Sequence, residues 1–160
     1  MKRKLIFLAI IAICTFVTSQ AQVKIDFNNP PWETGCDSLS SQTQMNVCSA
    51  EKSALADSVL RLCYETLINY IDNEYKITMQ QVAENPTRIA QGRMEQLKQQ
   101  KEAIIKSQEY FDAFRRNTVE VVSIQYMGGS MRPMVSNTYK LDLTVNQIKI
   151  LIDLMAELKY

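Results

Sequence analysis

The chain has 160 residues, with 18 lysines and arginines against 17 aspartates and glutamates, and it contains no histidine. The lack of histidine excludes Ser/His/Asp and Cys/His catalytic pairs and removes the commonest ligand of transition metals. Glycine-rich phosphate loops, dinucleotide-binding motifs and acidic calcium loops are also absent from the sequence. We therefore expect neither a metal nor a cofactor, and we do not expect an enzyme.

The first 21 residues have the layout of a secretory signal peptide. Three basic residues are followed by an uncharged apolar run over residues 5–17, and Ser19 and Ala21 suit a cleavage site. The apolar run is shorter than the roughly 20 residues that a membrane-spanning helix needs, which disfavours a signal anchor. The layout predicts export, to the periplasm or outside the cell, of a single mature domain, residues 22–160.

The charge of the chain changes sign once this leader is set aside. The leader carries three basic residues and no acidic ones, so 15 basic and 17 acidic residues remain, a net charge of −2. No basic cluster is left that could follow a phosphate backbone. Nucleic acid is therefore not an expected partner.

Three cysteines follow the leader, namely Cys36, Cys48 and Cys63. In an oxidising compartment a disulfide is the expected state. A bond between Cys36 and Cys48 would fold the proline-containing arm before Cys36 back along the first turns of a helix. Cys63 stands among leucines, and a buried small apolar side chain is favoured there over an intermolecular disulfide.

The first helix is predicted from about Met45 to about Met79. Ser41 and Gln44 form a capping-box pattern just before it. No proline or glycine interrupts the segment, and its apolar residues recur at helical spacing. These residues are Met45, Cys48, Leu55, Val59, Cys63, Leu67 and Ile71.

A second helix is predicted to follow Asn85 as its cap and Pro86 at its first position, and to reach about Tyr126. The charged residues on its polar face, such as the i,i+4 pair Asp112 and Arg116, are interpreted as a solvated surface. Residues 119–127 are rich in β-branched side chains, but no partner strand follows, so they are predicted as helix. The apolar residues at helical spacing are Ala90, Met94, Leu97, Ile104, Phe111 and Phe114.

The third helix is predicted to be short. A loop over residues 128–140 leads to a second capping-box pattern, Thr144 with Gln147, flanked by the apolar pair Leu143 and Ile148. Three helices with one apolar stripe each predict an all-α fold. Specifically, we expect a small three-helix bundle with a long antiparallel helical hairpin, a short C-terminal helix and a disulfide-clasped N-terminal arm.

Five segments, in this order, resemble the LprI-type lysozyme inhibitor family of small exported bacterial proteins. Together they extend from about Cys36 to Leu154, most of the chain after the leader. The segments are TQMNVC (43–48), ALADSVLRLCYETL (54–67), SQEYFDAFR (107–115), GGSM (128–131) and LDLTVNQIKIL (141–151).

The resemblance also bears on the disulfide. The family pattern has two further cysteines, whose positions fall here at Val119 and Tyr139. If those two pair in relatives, their joint absence leaves no free thiol behind. The resemblance then implies that this chain keeps the Cys36–Cys48 bond.

The resemblance implies a protein that binds and inhibits lysozyme and so protects peptidoglycan. Candidate partner contacts are Trp32 in the N-terminal arm and Gly128, Gly129 and Arg132 in the predicted loop, where backbone and aromatic groups are expected to be exposed. Trp32 is a plausible anchor because buried aromatic side chains dominate the energetics of interfaces. For Trp32 we favour the alternative that it packs the arm onto the bundle. For the two glycines we favour a helix cap and tight turn.

A fold does not determine a function, so one alternative remains. The chain could be an envelope adaptor or scaffold that binds another protein and does not inhibit lysozyme. A net charge of −2 provides little steering toward a basic lysozyme. The eight methionines are interpreted mainly as core residues, with a methionine-rich binding groove as the alternative.

Overall fold

The computed structural model describes residues 30, 32–33 and 35–158, and the predicted leader lies outside them. In this part the chain forms the helices α1 (Gln42–Glu84), α2 (Arg88–Ile124) and α3 (Arg132–Leu158), preceded by a 3₁₀ turn at Cys36–Ser38. The predicted all-α three-helix fold is confirmed. None of the helices described is long and apolar enough to cross a membrane.

The start of α1 agrees with the capping pattern. The hydroxyl of Ser41 accepts a hydrogen bond from the backbone N–H of Gln44 at 3.3 Å, which satisfies one of the free amides of the first turn. The side chain of Gln44 accepts a hydrogen bond from Ser40 at 3.0 Å. The helix begins a few residues before the predicted Met45 and continues five residues past Met79.

The boundary between α1 and α2 corrects one prediction. Asn85 does not cap α2; it ends α1, and its N–H donates to the carbonyl of Gln81 at 2.9 Å. The cap of α2 is Thr87, whose hydroxyl accepts from the N–H of Ala90 at 3.2 Å. Pro86 disfavours helical backbone in the residue before it, so Asn85 is extended and the new helix starts after the proline.

The predicted loop over residues 128–140 and the short last helix are wrong. Helix α3 begins at Arg132 and has 27 residues, with Pro133 in its first turn, where a missing N–H removes no intrahelical bond. Thr144, predicted as a cap, is fully buried in the middle of α3, and its hydroxyl donates to the carbonyl of Lys140 at 2.7 Å. Because threonine can bond one turn back inside a helix, the capping pattern has no significance here.

The helical hairpin is antiparallel, as two ion pairs between α1 and α2 demonstrate. Asp57 pairs with Arg115 at 2.6 Å, and Asp72 pairs with Lys101 at 2.6 Å. Residue numbers therefore rise along α1 as they fall along α2. The three-residue connection after Glu84 permits this close return.

The core lies along one stripe of α1. Its members face residues from both other helices, and burial of each large apolar side chain stabilises the fold by about 1.5–3 kcal/mol. Cys63 is fully buried among them, and burial raises the pKa of its thiol to about 11, as expected for a small apolar core residue. The buried apolar side chains are Trp32, Ala56, Leu60, Cys63, Tyr64, Leu67, Ile71, Leu97, Ile104, Ile148 and Leu151.

A polar network beside this core joins all three helices. The guanidinium of Arg115 on α2 donates to Asp57 on α1 at 2.6 Å, to the Thr144 hydroxyl on α3 at 2.7 Å and to Asp112 at 3.1 Å. Lys140 on α3 donates to the second oxygen of Asp57. Only 15% of the Arg115 side chain is exposed, so these bonds are largely shielded from water.

The N-terminal arm is held by a disulfide. Cys36 and Cys48 are bonded, with their Cα atoms 5.8 Å apart and 12 positions apart in sequence. The arm residues Pro30 and Trp32 are buried against the bundle. The predicted clasp is therefore confirmed.

Replacing Arg115 should destabilise the bundle far more than replacing its neighbour. Arg115→Leu removes one of the two cations that bond the partly buried Asp57 and leaves only Lys140, so we expect a loss of about 2 kcal/mol in the free energy of unfolding. Arg116→Leu is the matched control, because Arg116 is exposed and Asp112 pairs with Arg115 instead; we expect a change within about 0.5 kcal/mol. Urea unfolding followed by circular dichroism measures both. Equal midpoints for the two variants would contradict the role given to the network.

Loss of the disulfide should also destabilise the fold. The double variant Cys36→Ser, Cys48→Ser opens a loop whose closure contributes about 3 kcal/mol in the chain-entropy model. We expect a matching fall in the free energy of unfolding, with helix content retained. A reductant should lower the stability of the oxidised parent and leave the double variant unchanged. A reductant effect on the double variant would show that the loss does not come from this bond.

Candidate functional site

One end of the bundle brings together the start of α1, the disulfide and the connection between α2 and α3. The side chain of Asn46 donates to the backbone carbonyl of Ser130 at 3.1 Å. Gln42 approaches the sulfur of Met134 at 3.8 Å. The connection, residues 125–131 and hereafter the α2–α3 turn, is thus fastened to the first turns of α1, close to Cys48.

The α2–α3 turn is closed by backbone hydrogen bonds. Met127 N–H donates to the carbonyl of Ile124 at 3.1 Å, and Gly129 N–H donates to the carbonyl of Tyr126 at 2.9 Å. Gly128 has a φ of +78°, a left-handed conformation that residues with a Cβ rarely adopt. A Cβ on Gly129 would lie 3.3 Å from the carbonyl oxygen of Tyr126. The two glycines therefore make a tight turn, whereas the cap of α2 itself is Gln125.

Apolar side chains project from this turn into solvent. Met127 is 66% exposed, and Tyr126 and Met131 are also exposed. The hydrogen bonds of the turn hold its backbone in place, so little conformational entropy is lost on binding. The exposed apolar side chains on it are therefore suited to contact with a partner. None of the three is among the predicted contact residues, although Met131 lies within the predicted loop over residues 128–140. Their sequence signal is position: Met127 directly precedes the Gly-Gly pair, and Tyr126 and Met131 lie within two residues of it.

Arg132 lies at the base of the turn. Its guanidinium donates to Glu120 at 3.2 Å and to the Ser123 hydroxyl at 3.4 Å, both on α2. It therefore braces the entry to α3 against the end of α2. Because Arg132 forms an ion pair with Glu120, its positive charge is partly neutralised within the protein.

Trp32 is separate from the turn. The indole is 6% exposed and lies in the core, beside a cleft lined by Leu141 and Val145 of α3. Nine residues of helix separate Arg132 from Leu141, a distance of about 14 Å along the axis. The structure thus brings Gly128, Gly129 and Arg132 together and gives Trp32 the packing position that we favoured.

The site contains chemistry for binding. Among the described residues, no group of three or more cysteine or acidic side chains is placed to hold a metal ion. What the turn offers is exposed thioether and aromatic surface with a few backbone polar groups. Such groups suit contact with a protein, since aromatic and methionine side chains are enriched at interfaces.

Comparison with known proteins identifies a family. The family model described as lysozyme inhibitor LprI matches residues 36–151. The matched region includes the disulfide, α1, α2, the α2–α3 turn and α3 through Leu151. No curated protein and no solved structure matches the chain.

The two glycines Gly128 and Gly92 should respond oppositely to alanine. Gly128→Ala forces a Cβ into left-handed backbone, so we expect a loss of about 1 kcal/mol in the free energy of unfolding. Gly92→Ala lies in α2 with no heavy atom within 4 Å of the added Cβ, so we expect a gain of about 0.5–1 kcal/mol. Thermal and urea unfolding of both variants measure the difference. A gain in stability for Gly128→Ala would contradict the turn geometry.

Proposed function

The chain belongs to the LprI lysozyme inhibitor family, and from this premise we propose that it is an exported protein that binds a lysozyme and inhibits it. The observation that carries the proposal is the extent of the family match, which includes the disulfide and residues from all three helices. In this proposal the protein acts by occupying the enzyme and protects peptidoglycan without catalysing a reaction.

Export is part of the same proposal. The first 21 residues have the signal-peptide layout, and the Cys36–Cys48 bond suits the periplasm or the extracellular space, where disulfides persist. In the reducing cytosol the same two thiols would stay reduced, and the arm that carries Trp32 would lose its cross-link to α1. Maturation after export therefore completes the fold.

We assign the inhibitory contact to the α2–α3 turn. Lysozyme binds its polymer in a cleft, so an inhibitor needs a projecting element that enters a concave surface. The turn projects from one end of the bundle, its backbone is fastened by hydrogen bonds, and Met127 and Tyr126 are available for contact. A preformed element of this kind keeps the entropy cost of association low.

An envelope adaptor without lysozyme inhibition is the second candidate. It is favoured by an exposed apolar stripe on α2, separate from the turn, formed by Tyr110, Phe114 and Val121. Their spacing of four and seven residues places them on one face of the helix. An adaptor would use this face for another envelope protein, and the turn would then have no effect on lysozyme.

The decisive test is a titration of the oxidised protein, residues 22–160, into a cell-wall lysis assay with c-type, g-type and i-type lysozymes. We expect saturable loss of lysis near stoichiometric amounts with at least one class. Failure with all three, by protein shown to be folded, would replace the inhibitor proposal with the adaptor.

The contribution of the turn is tested with matched variants. Met127→Ala and Tyr126→Ala should each weaken inhibition about 10-fold or more, the size expected for a central interface residue. Met79→Ala is the control, because Met79 is also exposed but lies 33 residues along α1 from Asn46, about 50 Å from the turn. Equal inhibition by all three variants would remove the turn from the inhibitory surface.

A further inference from the structure

A groove runs between α1 and α2 along the middle of the helical hairpin. Its volume is about 520 Å³, within the range of small-molecule sites. Leu60, Tyr64 and Ile68 of α1 and Ile105 of α2 line it. These side chains give the groove an apolar floor long enough for an aliphatic chain or an aromatic ring.

The charged groups at the groove are mostly acidic. Arg115 is one of two arginines in the lining, and its guanidinium is already bonded to Asp57 and Asp112. The other, Arg61, lies 3.9 Å from Glu65 with both side chains largely exposed, a weak pairing.

Glu109 adds a further negative charge to the groove. Among the described residues, no lysine or arginine nitrogen lies within 4 Å of its carboxylate. The rim carries four carboxylates, on Asp57, Glu65, Glu109 and Asp112, against two guanidinium groups, and Lys140 of α3 adds a third positive charge beside Asp57. The negative charge that is left unbalanced lies at the end of the groove with Glu65 and Glu109. The groove therefore favours a cation over an anion.

Gln108 contributes an acceptor. Its side-chain N–H donates to Asp112 at 3.1 Å, while its carbonyl oxygen is buried and accepts no hydrogen bond from any residue in the described part of the chain. A buried acceptor without a donor is unfavourable. Because Gln108 lines the groove, a rotation of its amide would present this oxygen to a ligand N–H and relieve the missing hydrogen bond.

We propose that this groove binds an amphipathic cation, an aliphatic or aromatic group that ends in an ammonium or guanidinium. The apolar part would lie on Leu60, Ile68 and Ile105, and the cationic head would lie among the carboxylates with an N–H directed to Gln108. The same chemistry is supplied by a free small amine or by a lysine or arginine side chain of a partner protein. The inference does not depend on lysozyme inhibition.

Methyl NMR of the oxidised protein, residues 22–160, tests the chemistry with three matched probes: n-hexylammonium, 1-hexanol and n-hexanoate. We expect n-hexylammonium to shift the methyl signals of Leu60, Ile68 and Ile105 saturably. 1-Hexanol should bind several-fold more weakly, and n-hexanoate should cause no saturable shift. Absence of a saturable shift with n-hexylammonium, or equal binding of n-hexanoate, would overturn the proposal.

Charge-neutralising variants test the residues. Glu65→Gln with Glu109→Gln should weaken n-hexylammonium binding about fivefold or more, and neither glutamate is buried, so the fold should persist. The control pair, Glu51→Gln with Glu157→Gln, removes the same charge from exposed positions outside the groove and should change the affinity less than twofold. An equal loss in both pairs would show that net charge alone attracts the probe.

A third arm separates the two sources of the cation. n-Hexylammonium, at a concentration that fills the groove, is added to the lysis assay, with n-hexanoate and enzyme alone as controls. If inhibition weakens in proportion to occupancy, the groove receives a basic side chain of the enzyme. If inhibition is unchanged, the groove does not receive a side chain of the enzyme, and a free small amine is the source that stands. If no lysozyme is inhibited at all, the lysozyme proposal fails while the NMR result is still decided independently.

Discussion

The guanidinium of Arg115 is the interaction on which the arrangement of the three helices depends. Apolar stripes alone let long helices slide by a turn with little loss of burial, whereas an arginine with fixed donor directions admits one register. Arg115 reaches Asp57 on α1 and Thr144 on α3, at 2.6 and 2.7 Å. Because desolvated charges are costly when a partner is missing, any shift of one helix along another is penalised at this point. The register set here places the groove lining of α1 opposite that of α2.

A second constraint acts at one end of the bundle. The disulfide ties the arm to α1, and Asn46 ties the α2–α3 turn to the same helix. At this end a disulfide and a hydrogen bond therefore attach the arm and the turn to α1, and the exposed apolar side chains of the turn are held in fixed positions. At the opposite end the connection between α1 and α2 consists of exposed polar residues around Pro86. This difference in attachment between the two ends explains why the end with the disulfide can present a fixed contact surface.

Apolar periodicity and capping patterns predict much of the fold. They give the wrong structure where a residue's role depends on a partner that is distant in the sequence. The apolar spacing of α1 and α2 indicates two long helices, and Ser41 is recognisable as a cap because its acceptor role is local. Thr144 has the same local pattern but a different role. Its hydroxyl accepts a hydrogen bond from Arg115, 29 positions away, and donates one to the carbonyl of Lys140. Of the candidate site, the Gly-Gly turn is predictable from composition. The exposure of Met127 is not, because it depends on where α3 begins.

The α2–α3 turn and the groove between α1 and α2 have different chemistry and lie a defined distance apart. The α2–α3 turn is apolar and lies beside Asn46, and the near end of the groove, at Asp57, is 11 residues of helix away, about 16 Å. A compact domain of about 100 residues has a radius of gyration of about 13 Å, so one small enzyme is wide enough to contact both. A net charge of −2 over residues 22–160 gives weak long-range steering. Carboxylates concentrated at the groove nevertheless act strongly within a Debye length of about 8 Å. Local charge at the groove would therefore orient a basic enzyme only once contact at the turn had brought it close.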